Sequence, residues 1–153
     1  MTVAVREYQG LVTRAIAFAV DAAIVNLIAL VVGVGVGLAL SILTIHDSLE
    51  VVLVAVGGAA FVLWTVGYFV VFWSTTGQTP GNRLMQVRVL GDDGERLRPR
   101  RALLRFGGLV LAALPLFAGF LPVLVDDRRR GLHDMLARTI VVRAPQTPAG
   151  RRT

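Results

Sequence analysis

Two long apolar runs leave this chain few ways to fold. Residues 15–45 are broken only by Asp21, Asn26, Ser41 and Thr44, and residues 51–73 carry no charged side chain. Crossing a hydrocarbon core of ~30 Å takes about 20 helical residues, so each run is long enough to span a bilayer with some tilt. With 153 residues, 55% of them apolar and 17% charged, and a mean hydropathy of +0.69, the chain is too apolar for an ordinary soluble domain of its size. It reads as a mainly α-helical polytopic membrane protein. A signal peptide is the competing reading of the first run, but the run is too long, Asp21 interrupts it, and no small-residue cleavage site follows.

The charges set an orientation. All sixteen basic residues are Arg. The link between the two runs carries Asp47 and Glu50 but no Arg, whereas Arg83, Arg88, Arg96, Arg98, Arg100 and Arg101 follow the second run. By the positive-inside rule the loop 74–101 is cytoplasmic, and so is the N-terminus. A net charge of +6 and a pI near 11.4 would suit nucleic acid. The arginines, however, flank apolar spans, so anionic lipid headgroups are the expected partner and nucleic acid is not. Tyr68 and Trp73 suit the interface where the second helix leaves the membrane.

Residues 102–125 form a third apolar segment, interrupted by Arg105, Pro115 and Pro122. As a single span it would place an arginine-rich tail outside. Each half around Pro115 reaches only about 15–20 Å at ~1.5 Å per residue, which favours a re-entrant hairpin over two crossings. The three-span alternative stays open. The hairpin also brings the β-branched run Thr139–Arg143 to the cytoplasmic side. There it can join a β-hairpin built from Leu84–Leu90, the turn Gly91–Gly94 and Glu95–Leu97, making a small three-stranded sheet. The membrane domain is expected to cover residues 1–143: helices at about 13–43 and 51–73, the loop 74–101 with its hairpin, the segment 102–125 and the strand 139–143. Residues 144–153 read as a disordered basic tail.

These features resemble the RDD family of small bacterial membrane proteins, named for an arginine and two aspartates. Arg14 and Asp21 in TRAIAFAVDAAI, the loop TTGQTPGNRLMQVRVL followed by an Asp-Gly turn, Arg105 in RALLRF, and Asp134 in GLHDMLARTIVV carry the resemblance. It departs at Asn82, where a basic residue is common, and at Arg138, where Gly is common. The resemblance implies location in the bacterial plasma membrane. Ligand transport has been suggested for the family, and some members are linked to sodium–proton exchange.

The residues themselves leave two classes of function. An ionised Asp21 two turns inside the membrane costs at least ~2.5 kcal/mol unless it is paired, protonated or facing water. It is therefore either a proton or cation ligand, with Asn26 and Thr13 as neighbours, or a buried partner of Arg105 or Arg14. His133 beside Asp134 is a candidate proton-sensitive pair, or Asp134 bonds Arg14 or caps a short helix while His133 sits at the interface. Gly77, Thr79, Pro80, Gly81 and Arg83 form a loop motif with a tight turn; it lacks the Gly-Lys-Ser/Thr end of a P-loop. Gly33 and Gly37 offer a small-residue face for helix contact, and Arg128–Arg130 an anchor on anionic lipid. With no Cys, no metal-ligand spacing and no catalytic triad context, neither enzyme activity nor a metal or other cofactor is expected. The first class is a subunit of a transporter or cation/proton antiporter. The second is a non-transporting accessory or scaffold module in a homo-oligomer or larger membrane complex.

Overall fold

A computed structural model describes residues 8–42, 47–114 and 118–144. The proposed tail and the centre of the third segment at Pro115 lie outside these residues. Two long helices dominate, α1 (Leu11–Ser41) and α2 (Asp47–Thr75). At ~1.5 Å per residue each exceeds the ~30 Å hydrocarbon core, and both are apolar enough to cross it. In their most apolar windows only 6% and 0% of residues are buried within the chain, so nearly all of that apolar surface faces outward. A surface of this kind is tolerated in lipid or against another membrane-embedded chain, and not in water. α1 begins two residues before the expected boundary, and α2 extends past its expected run at both ends.

The only buried positions on α1 are Ala17, Asp21 and Val25, spaced four apart on one narrow stripe. They face a compact hub at the far end of α2. The core there joins Val25, Tyr68, Phe69, Trp73, Val87, Val89 and Leu97. Aromatic rings knit it together, with Phe69 lying 5.2 Å from Trp73 and 5.7 Å from Phe106 between ring centroids. Tyr68 and Trp73, expected at the membrane interface, are instead core residues, 7% and 3% exposed.

After α2 the loop motif folds into a short helix, α3 (Pro80–Leu84), rather than a tight turn. The Thr79 hydroxyl caps it by accepting from the Asn82 amide, and Pro80 occupies the first helical position, where its missing N–H is not needed. Strand β1 (Val87–Gly91) pairs antiparallel with β2 (Thr139–Arg143), Val89 opposite Val141. β2 takes the place expected of it. The hairpin does not form: the Gly91 amide bonds to the Glu95 carbonyl, and Pro99 starts the next helix so soon after this turn that no strand fits between. Leu97 is buried without being in a strand. The other edge of β2 is bridged by Tyr8, with the Gln9 amide donating to the Val141 carbonyl at 3.1 Å. Among the described residues the sheet proper therefore has two strands.

The third apolar segment folds back on itself. α4 (Pro99–Ala113) ends at Ala113, and after the 3₁₀ turn Ala118–Phe120 come α5 (Pro122–Val125) and α6 (Leu132–Ala137). A Cβ on Gly119 would sit 2.5 Å from Ala112 Cα, and one on Gly108 would sit 3.0 Å from His133 Cα. The 3₁₀ turn and α6 thus pack back against α4, and β2 ends beside β1, on the side from which α4 set out. Arg138 links α6 to β2 in the left-handed conformation, φ +51°, which explains why Gly suits this position. Arg138→Gly removes a left-handed penalty of roughly 1 kcal/mol and gives part of it back through a freer unfolded chain. The expected result is a gain of about 0.5 kcal/mol in unfolding titrated with SDS in mixed micelles.

Candidate functional site

Two buried carboxylates organise the hub, and they do different things. Asp134, fully buried on α6, is the centre of the ionic cluster. Its Oδ2 accepts from Arg14 Nη1 at 2.5 Å and from the Gly131 amide at 3.1 Å, at the start of α6. Its Oδ1 is paired with Arg105 Nη1 and accepts from the Thr139 hydroxyl at 3.2 Å. Arg105 Nη1 also donates to Thr139 Oγ1 at 2.6 Å, and its guanidinium lies 4.9 Å from the centre of the Trp73 ring. Burial alone would push the Asp134 carboxyl up. Arg105, His133, Arg14 and the Gly131 N–H outweigh it and hold the carboxyl well below the usual range.

Asp21 has no such counter-ion. None of the ion pairs among the described residues involves it; the expected pairing with Arg105 does not occur, because Arg105 is taken by Asp134. Asp21 accepts instead from three neutral donors: the Tyr68 hydroxyl at 2.9 Å, the Thr79 hydroxyl at 2.5 Å and the Gly81 amide at 2.8 Å. Such a cradle satisfies the buried carboxyl oxygens without a cation. It also ties three elements together, since α1 supplies the acid, α2 the tyrosine and α3 the other two donors. Asn26 and Thr13 take no part. The Asn26 amide bonds to the Ala22 carbonyl and is exposed.

The loop motif is thereby accounted for residue by residue. Thr79 donates to Asp21 while capping α3, and Pro80 starts that helix. Gly81 lets the α3 backbone approach α1: a Cβ there would lie 2.1 Å from the Ala17 carbonyl oxygen. Gly77 turns the chain with φ +71°, and its carbonyl accepts from the Val89 amide at 2.8 Å. Arg83 is exposed and joins neither carboxylate cluster.

His133 is buried, 3% exposed, rather than interfacial. Its Nε2 lies 3.6 Å from Asp134 Oδ2, beyond a hydrogen bond. Burial pushes its pKa down to about 4; the pull of Asp134 in the opposite direction is too weak to restore it, with Arg105 and Arg14 opposing. His133 is therefore neutral at pH 7, and proton sensing near neutrality is not what this environment favours. The unfolded state, with a pKa near 6.5, binds more protons between about pH 6.5 and 4, so stability falls as pH drops through that window. By pH 5 the expected loss is about 2 kcal/mol relative to pH 7.5. His133→Gln flattens this dependence in pH-resolved unfolding titrations.

Between α1, α2, α4 and α6 lies a cavity of about 810 Å³, with Arg14, Asp21, Arg105 and His133 on its wall. Arg128–Arg130 contribute nothing to it. Arg130 is engaged by Asp126 at 3.0 Å, and that half-buried pair holds the Asp126 carboxyl down to about 2 through the Arg130 hydrogen bond. No group of metal-ligating side chains occurs among the described residues.

An arginine on α1, an arginine on α4 and an aspartate on α6 thus meet through one fold-back, while the aspartate of α1 stands apart on the same cavity wall. The sequence model of the RDD family matches residues 8–138. The chain belongs to the RDD family. No curated protein and no solved structure matches it. In this RDD protein the arginine–aspartate signature divides into two separate locks. Arg14 and Arg105 share Asp134, and Asp21 is held by the TPG loop. Sequence reasoning offered the Arg14–Asp134 bond as one alternative and gave Arg105 to Asp21, whereas Arg105 is held by Asp134. It missed Tyr68 and Thr139 as partners. The signal for Thr139 was its place five residues after Asp134, beyond a helix of one and a half turns; for Tyr68, 47 residues from Asp21, there was none.

Proposed function

We propose that this RDD protein is a non-transporting assembly module of the bacterial plasma membrane. It crosses the bilayer with α1 and α2 and keeps its N-terminus and arginine-rich hub on the cytoplasmic side. The observation that carries this reading is the saturation of both carboxylates: Asp134 by two guanidiniums and a backbone amide, Asp21 by three neutral donors. An acid that loads and releases ions must trade partners in each cycle, and these two are committed to holding elements together. The long helices also suit docking better than conduction. A cleft of about 1,020 Å³ lies between their outer halves, lined by Ile28, Val32, Val36, Val54 and Trp64, and a Cβ on Gly33 or Gly37 meets nothing. Further copies of the chain or other membrane-embedded chains would cover these faces.

One observation favours the second reading, a subunit of a cation/proton antiporter. Asp21 is a buried acid without a cationic partner and lies on the cavity wall. Reconstitution into liposomes with an internal pH probe and pulses of Na⁺, K⁺ or Li⁺ separates the two. The module reading expects no cation-driven pH change from wild type. A flux that disappears in Asp21→Asn, with the protein still folded, would overturn it. Because the chain has no Cys, Val36→Cys provides a single cross-linking site for capturing neighbours in the membrane.

A further inference from the structure

We propose that the hub cavity is a binding site for an amphipathic anion, a lipid whose phosphate or carboxylate head sits at Arg14 and Arg105 and whose acyl chain lies along the apolar wall. The site is built, and its polar end is short of acceptors. Arg14 Nη2, Arg105 Nε and Trp73 Nε1 are buried N–H donors with no hydrogen-bond partner, and His133 Nδ1 is buried and unpartnered as well. All four residues line the cavity. Arg105, Trp73 and His133 are each less than 5% exposed. The acids nearby cannot serve these donors: Asp134 already accepts from both arginines, Thr139 and Gly131, and Asp21 is filled by its own three donors.

A deficit of acceptors beside two guanidiniums calls for a group rich in oxygen and negative in charge. The rest of the wall argues against a small soluble anion. Phe18, Phe69, Leu109, Phe120 and Leu121 surround the remaining space, and at about 810 Å³ it lies within the ~300–1,000 Å³ range of ligand pockets. A bare phosphate would leave that surface uncovered, whereas an acyl chain fills it. Phe18, Leu121, Ala15 and Ala19 are exposed as well as lining the cavity. The mouth therefore opens beside α1, on the flank that faces the bilayer if α1 spans it, and a lipid can enter sideways. The headgroup would sit at the level where α2 ends and the polar hub begins.

The test uses the full chain in nanodiscs. Trp64→Phe leaves Trp73 as the sole tryptophan, on the cavity wall. Phospholipids brominated on one acyl chain quench a nearby indole, and are supplied with either an anionic phosphatidate head or a zwitterionic phosphatidylcholine head. The expected result is saturable quenching by the phosphatidate with about tenfold preference over phosphatidylcholine, the equivalent of ~1.4 kcal/mol and the size of one charge-assisted hydrogen bond. It should be unaffected by millimolar inorganic phosphate. Ala113→Phe, which narrows the cavity without touching either carboxylate lock, should abolish the preference while leaving the unfolding midpoint in place. Equal quenching by both lipids would overturn the proposal, because it signals ordinary bilayer contact. Displacement of the phosphatidate by inorganic phosphate would overturn it too, reassigning the polar end to a free anion.

Discussion

Exchanging Asp134 for asparagine should destabilise the hub by about 3–5 kcal/mol, the usual consequence of leaving buried charge without its partner. The side chain keeps its shape, but its amide nitrogen cannot accept, so one set of donors loses its acceptor together with the charge. Arg105, 4% exposed, is left with no carboxylate, and Arg14 loses the bond that turns it inward from the start of α1. Both guanidiniums then repel each other in a poorly solvated site. SDS titration in mixed micelles, followed by tryptophan fluorescence, measures the loss. Asp126→Asn is the matched control: its pair with Arg130 is half-buried at the surface and involves one guanidinium in place of two, and surface ion pairs contribute only ~0–1 kcal/mol. A change below about 1 kcal/mol for Asp134→Asn would show that the cluster does not hold α1, α4 and α6 together. The pH dependence separates this lock from His133. Asp134, with its pKa held low, stabilises the fold at every pH above the ordinary carboxylate range. It loses that contribution only in strong acid, below the window in which His133 acts.

The parts of this architecture visible from sequence are those fixed by local pattern. Residues 15–45 and 51–73 announce helices because an unbroken apolar run must satisfy its own backbone in a membrane. The strand at Thr139–Arg143 was legible because β-branched residues in a row need a partner, and Leu84–Leu90 was the candidate within reach. The hairpin expected at residues 84–97 failed for a reason also present in the chain, since Pro99 begins α4 before a return strand can form. What could not be read was the choice of partners for the acids. Arg105 lies 29 residues from Asp134, and which aspartate it meets depends on where the fold-back after Ala113 delivers α6. Nothing local to Arg105 encodes that. Likewise, aromatic residues at the end of an apolar run suit an interface, and only the packing of β1 and α4 against α2 turns Tyr68 and Trp73 into core.

The second large effect concerns a residue with no side chain. Gly81→Ala should lower stability by about 4 kcal/mol and release α3 from α1. The added methyl would point at the Ala17 carbonyl oxygen from 2.1 Å and at the Asp21 carboxyl carbon from 2.9 Å. The first obstacle is helix backbone, which cannot rotate away as a flexible side-chain tip would. α3 must therefore shift outward, and its displacement is transmitted to Asp21. The Gly81 amide and the Thr79 hydroxyl withdraw together, leaving the carboxylate with the Tyr68 hydroxyl alone. Overpacking costs ~1–3 kcal/mol, and each hydrogen bond to a charged acceptor adds roughly 1.5–3 kcal/mol when lost; partial relaxation keeps the total below their sum. A second substitution separates the steric from the electrostatic part. Asp21→Ala removes the carboxylate but not the Ala17 carbonyl. In that background Gly81→Ala should still cost ~1–3 kcal/mol, while the remainder of its single-mutant effect disappears, a coupling that a double-mutant cycle reads directly. Full additivity would mean that the TPG loop approaches α1 without holding Asp21, and the family's loop motif would then need an explanation other than cradling that acid.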